Sequence, residues 1–97
     1  MSGKIIQLAE TKLPENCYVF KHSTRCPVSF AAADEVKAAE FALPLYWINV
    51  VEQRPFSNWF ASEFSVEHAS PQLILVQAGV AVRSWSHGEI KKDVFIK

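Results

Sequence analysis

The alternation of strand-like and helix-like segments limits most strongly the folds open to this chain. Cys17-Tyr18-Val19-Phe20 is a short apolar run rich in β-formers and reads as a buried strand. A polar stretch from Lys21 to Arg25 follows, then Cys26-Pro27, then residues 28–42 with six alanines and neither glycine nor proline. That segment reads as a helix with Pro27 at its first position, where the missing N–H costs nothing. Val28, Ala32, Val36 and Ala39 form an apolar stripe, while Asp34, Glu35, Lys37 and Glu40 supply polar positions. Pro44 closes the helix. Residues 45–51 read as a second strand, apolar enough to be covered on both faces.

Pro55 opens a second helix in which Phe56, Phe60 and Phe64 recur at intervals of four beside Trp59. After a polar link, Pro71 precedes the strand at residues 72–77, and Ala78-Gly79 turns the chain into a strand at 80–85. These two strands form a hairpin. Ser86 and Glu89 have capping-box spacing, which predicts a final short helix running to Lys97. Residues 5–12 fit either a short helix or an extended arm. The order is β-α-β-α-β-β-α over a single domain, residues 1–97. Each strand–helix–strand unit implies a right-handed parallel crossover, and the hairpin adds an antiparallel edge. The expected architecture is α/β, a four-stranded mixed sheet flanked by helices, and it resembles the thioredoxin-like fold.

Composition narrows the partners. Ten Lys+Arg balance ten Asp+Glu in 97 residues, so no basic excess points to nucleic acid or an anionic membrane. The apolar runs are too short to span a bilayer, and the first residues lack the apolar core of a signal peptide. The expectation is a cytoplasmic monomer, where two cysteines are better judged singly than as a structural disulfide.

Cys26 is the residue with the clearest chemistry. It stands where a strand hands over to a helix, facing unpaired backbone N–H groups and the positive end of the helix dipole. Such surroundings favour a thiolate over a thiol, and the thiolate is the nucleophile of disulfide exchange. Cysteine is also a poor N-cap compared with Ser, Asp or Asn, so a structural role explains its placement less well. Arg25 is adjacent, His22 lies one strand-end away as a tuning group or a loop anchor, and the Ser29 hydroxyl is placed to hydrogen-bond the sulfur. In Cys26-Pro27-Val28-Ser29 a serine stands where a dithiol enzyme carries its second cysteine. Serine cannot resolve a mixed disulfide, so the pattern predicts monothiol chemistry completed by a thiol from outside. Cys17, at the start of a buried strand, reads as a small hydrophobe. Ser70-Pro71 directly precedes a strand, and an X-Pro bond is where a cis peptide is tolerated.

These motifs carry a specific resemblance. The decapeptide Phe20-Lys21-His22-Ser23-Thr24-Arg25-Cys26-Pro27-Val28-Ser29 is similar to the signature of the monothiol bacilliredoxins, the YtxJ-like family. Asn49-Val50, Arg54-Pro55-x-Ser57-Asn58, His68-x-Ser70-Pro71-Gln72 and Ser86-His87 follow in the family's order. The resemblance implies a thioredoxin-like fold and the removal of bacillithiol from mixed disulfides on S-thiolated proteins. Cys26 would be the attacking thiol. The family's cis-proline position maps to Pro71; Arg25, Pro27, Ser29 and Ser70 are the further candidate substrate- and thiol-binding residues around Cys26. Bacillithiol would be a co-substrate, and no resident cofactor is implied. The chain has little room for the family's full N-terminal helix.

Rival chemistries fit less well. Cys17, Cys26 and the three histidines lack metal-ligand spacing, so no metal site is predicted. Cluster-binding monothiol relatives of the fold carry a glycine-containing active-site sequence in place of Pro-Val-Ser. A cysteine phosphatase loop needs an arginine where Ala32 stands. A non-catalytic binding module of the same fold is the remaining alternative. His68 reads as a groove or solvated-loop residue, and His87 as a structural one at the end of the sheet away from Cys26.

Overall fold

The computed structural model describes residues 4–95. Its elements in chain order are β1 (Ile5–Gln7), β2 (Cys17–His22), α1 (Pro27–Ala38), β3 (Leu45–Asn49), α2 (Arg54–Glu63), β4 (Gln72–Gln77) and β5 (Val80–Ser86). Two 3-10 turns follow, His87–Glu89 and Lys92–Val94. The strands form one mixed sheet in the order β1-β3-β2-β4-β5. β3 runs parallel to β1 and β2, while β4 is antiparallel to β2 and β5 to β4.

The sheet therefore has five strands where the sequence predicted four. The ambiguous N-terminal stretch supplies the fifth, with Ile5 opposite Leu45 and Gln7 opposite Trp47. Three residues are too few to show a period of two, which is why the strand was not evident. Gln53 then holds it in place, its amide donating to the Leu8 carbonyl at 2.7 Å. The predicted terminal helix is replaced by the two 3-10 turns. Glu89 does accept the Ser86 amide at 2.9 Å, so the capping contact forms without a helix to propagate from it. Ile90 and Phe95 instead turn inward and are buried. The last two predicted helix residues lie outside the described range.

Strand alternation sorts the core into two layers. Tyr18 and Phe20 of β2 face α1, joining Ala32, Ala33, Val36, Phe41, Leu73, Leu75 and Phe95. Cys17 and Val19 face α2, joining Ile48, Phe60, Ile74 and Val76. All six residues of β2 are buried, as befits a central strand covered on both sides.

Helix α1 ends at Ala38, four residues before the sequence-based boundary. Ala39 is already extended, and the chain must turn there to bring Phe41 against Tyr18 and Phe95, with ring centroids 6.0 and 4.9 Å away. Tertiary burial of one aromatic outweighs another turn of alanine-rich helix. Val28, assigned to the buried stripe, is instead 45% exposed. Phe41→Ala should therefore destabilise the fold by about 3–5 kcal/mol. Urea unfolding of the variant checks this. A loss below about 1 kcal/mol would mean that Phe41 does not set the helix end.

Candidate active site

The site lies outside the C-terminal end of β2. His22 ends the strand, and its carbonyl accepts the Val50 amide at 2.9 Å. Ser23, Thr24 and Arg25 then turn the chain into α1. Cys26 is the N-cap of that helix, with extended backbone (φ −117°, ψ 117°), and its carbonyl accepts the Ser29 amide at 3.0 Å. Pro27 follows in the first turn. The Cys26 side chain is partly exposed, so a nucleophile there can meet a substrate.

Ser29 is fully buried. Its hydroxyl oxygen accepts the Ser23 amide at 2.9 Å, and this is the bond recorded for it in place of one to the Cys26 sulfur. The serine thus ties the turn that carries Cys26 to the first turn of α1. Thr24 anchors the same turn from the other side, donating to Glu52 at 3.0 Å. Arg25 is exposed and makes its recorded contact through its backbone amide, which donates to the Ser23 hydroxyl at 3.3 Å.

His22 is enclosed by rings: Phe30 at 5.0 Å, Trp47 at 5.4 Å and Phe20 at 6.0 Å. Its Nδ1 is buried without a hydrogen-bond partner. Burial holds the imidazole below its ordinary titration range, opposed by a backbone hydrogen bond at Ser29, while nearby Lys37 pushes the same way as burial. Neutral His22 is therefore the form that fits the site at neutral pH.

Because β4 is antiparallel to β2, its first residue Gln72 pairs with Lys21. This brings Ser70-Pro71 to the Cys26 end of the sheet. The Ser70–Pro71 peptide is cis, and the Ser70 hydroxyl is buried without a partner. The hairpin returns β5 to the same end, where Ser86 pairs with Gln72 and the His87 amide donates to the Pro71 carbonyl at 3.1 Å. His87 is thus on the Cys26 side of the sheet, not the far side expected from the sequence. Two reversals of direction restore the original one, so β5 ends where β2 ends. Cys17 does lie at the far end, fully buried, with burial pushing its thiol up to about 11. Among the described residues no three His, Cys, Asp or Glu side chains are grouped to hold a metal ion.

Lys21 was missed. The sequence predicts a strand ending at Phe20 with Lys21 in a polar loop, whereas β2 continues through His22. Alternation then sends the Lys21 side chain into the α2 layer, where it is fully buried. Its ammonium lies 3.4 Å from the Ser57 carbonyl, 3.3 Å from His68 Nδ1 and 5.3 Å from the centre of the Phe60 ring. Burial lowers its titration to about 8. The available signal was a lysine directly after an apolar run, a place where the strand can continue past the run.

A family profile described as monothiol bacilliredoxin BrxC matches residues 2–95. The chain belongs to this family. Among solved structures, it is similar to a protein provisionally described as an oxidoreductase with a thioredoxin fold. The two share 27% identity at a TM-score of 0.78, over 92% of this chain and 88% of that one. The fold also recurs in Trxlp from Edwardsiella tarda EIB202, at 20% identity and TM-score 0.67 over 94% and 93% of the two chains. A thioredoxin mutant from Halobacterium salinarum NRC-1 is similar at 19% identity and TM-score 0.65, over 96% and 83%. Family and fold together point to a thioredoxin-like oxidoreductase.

The buried ammonium makes a prediction about stability. The unfolded lysine titrates near ~10.4 and the folded one near about 8. Between these values the unfolded chain holds the extra proton, so stability rises with pH. The cost of burying the charge is fully present below pH 8 and gone above the unfolded value. Lys21→Met should be more stable than wild type at pH 7 by about 1–3 kcal/mol. That advantage should shrink as the pH approaches 10. Denaturant midpoints of both proteins across this range provide the check, and a pH-independent difference would contradict it.

Proposed function

We propose that this protein removes bacillithiol from mixed disulfides on S-thiolated proteins, with Cys26 as the attacking nucleophile. The observation that carries the reading is a partly exposed cysteine at the N-cap of α1 with no second thiol in reach. Ser29 occupies the resolving position and is committed to the Ser23 amide, and Cys17 is buried at the opposite end of β2.

In the first step the Cys26 thiolate attacks the bacillithiol sulfur of the mixed disulfide. The protein–bacillithiol S–S bond breaks as the Cys26–bacillithiol bond forms, and the client leaves as a thiolate that takes a proton from water. In the second step the thiolate of another bacillithiol molecule attacks the captured sulfur, releasing bacillithiol disulfide and regenerating Cys26. Each step exchanges one disulfide for another with no net electron transfer from the protein. As the N-cap residue, Cys26 stands at the positive end of the α1 dipole. Ser70, before the cis proline, offers backbone groups to an extended client. Pro27 and Arg25 border the same opening, and Val28 and Phe30, 45% and 51% exposed, give the client an apolar surface.

Nothing in this scheme needs a resident cofactor, a metal, nucleic acid or a membrane. No helix among the described residues is long and apolar enough to cross one. Two cysteines left unpaired suit a reducing compartment such as the cytoplasm, and one chain supplies every group invoked, so a monomer suffices.

The test is intact-mass analysis of reduced protein exposed separately to the disulfides of bacillithiol, glutathione and coenzyme A, followed by turnover of a bacillithiol-capped peptide. A single adduct at Cys26, formed fastest with bacillithiol, is the expected result. Cys26→Ser should fold normally and abolish cap removal, while Cys17→Ala should retain it. Cap removal by Cys26→Ser, or a preference for another thiol, would refute the assignment.

A further inference from the structure

Lys21 is a fully buried cation with no part in the exchange chemistry, and its surroundings explain little about stability. It meets Ser57 and Phe60 from α2 and His68 from the loop before β4, and its backbone pairs with Ile48 and Gln72 on the neighbouring strands. No carboxylate is recorded against it among the described residues. A buried charge lacking a counter-ion is usually replaced by a hydrophobe of similar volume without loss of stability. The lysine is better explained by what its ammonium holds.

It holds the segment that leads to the cis proline. His68 Nδ1 lies 3.3 Å from both the Lys21 ammonium and the Ser57 hydroxyl. On either side of His68, the Gln72 side chain donates to the Glu67 carbonyl at 3.0 Å and accepts the Ala69 amide at 3.4 Å. Residues 67–69 are otherwise at the surface, bordering a shallow cavity of about 260 Å³ lined by Val66, Glu67, His68, Gln72 and Ser84. Lys21 therefore links the strand that delivers Cys26 to the loop that delivers Ser70.

We propose that Lys21, acting through His68, is a positioning residue that holds residues 67–71 in the shape that presents Ser70 to the substrate. The proposal rests on the thiol-exchange reading above for its functional consequence, but the Lys21–His68 contact stands without it. The contact needs a charged lysine donating to a neutral imidazole. Protonating His68 would set two cations 3.3 Å apart. Burial, Lys21 and Arg54, in that order, push its titration down. Losing the Lys21 proton removes the charge-assisted bond at the other end of the range. The link is complete only between these two titrations, which bracket neutral pH.

Three measurements on Lys21→Met test this. The His68 imidazole, followed by NMR, should titrate higher than in wild type because the neighbouring cation is gone. Alkylation of Cys26 by iodoacetamide should keep its wild-type rate, since that small probe needs no groove. Turnover of a bacillithiol-capped peptide should show KM raised about ten-fold with little change in kcat, and should lose the wild-type rise in KM above pH 8. His68→Gln, whose amide oxygen can still accept from Lys21, should keep a low KM where His68→Ala does not. An unmoved His68 titration, or an unchanged KM in both Lys21→Met and His68→Ala, would overturn the proposal. Wild-type protein that fails to turn over the peptide would instead defeat the functional reading, and the His68 titration with hydrogen exchange of the 67–70 amides would still decide whether Lys21 holds the loop.

Discussion

The hydrogen-bonded register of β2 between a parallel and an antiparallel neighbour is the constraint on which the rest of the molecule depends. Tyr18 pairs with Leu45 on one side and with Leu75 on the other, and both side-chain layers close over the strand. A slip of one residue would exchange the two faces, sending Tyr18 and Phe20 to the α2 side and Lys21 to the α1 side. The same register decides the site. Parallel pairing with β3 sends the chain out at the C-terminal end toward α1, and antiparallel pairing with β4 brings Pro71 in at that same end. Cys26 and the proline loop lie at one end of the sheet because of backbone geometry set in its middle.

The monothiol pattern follows from the residue three positions after Cys26. In a dithiol site the residue three after the nucleophile is a second thiol; here it is Ser29, buried and bonded to the Ser23 amide. The position thus keeps a structural task, bracing the turn, while the means of internal resolution is removed. Cys17 cannot replace it, since the length of β2 separates the two sulfurs and burial holds the Cys17 thiol in its protonated form.

Much of this was legible in the sequence because it rests on local chemistry. The apolar run at Cys17, the proline after Cys26 and the turn at Ala78-Gly79 each state their structure within a few residues. The turn adopts positive φ at both Ala78 and Gly79, as a tight hairpin connection requires. What the sequence did not state depended on distant partners. β1 exists because Leu45 and Trp47 offer an edge, α1 stops early because Phe41 has a place beside Tyr18 and Phe95, and His87 reaches the site because of strand directions summed over the whole sheet. The polar residues were the hardest to read. Lys21 and His22 look like the start of a loop, yet backbone pairing with Ile48, Asn49 and Gln72 extends the strand through them.

The two buried polar residues ending β2 face opposite layers and meet opposite surroundings. His22 lies among Phe20, Phe30 and Trp47 on the α1 side, where an aromatic environment favours its neutral form. Lys21 lies on the α2 side, where Ser57 and His68 accept from it and the Phe60 ring faces its charge. Adjacent in sequence, they place a neutral and a cationic group on either side of the strand that leads into Cys26. An apolar pair at these positions would make a more stable strand end, but it would remove the Lys21 contact to His68 from residues 67–71. The polar strand end therefore makes more sense as a tie to the segment before Pro71 than as a contribution to the core.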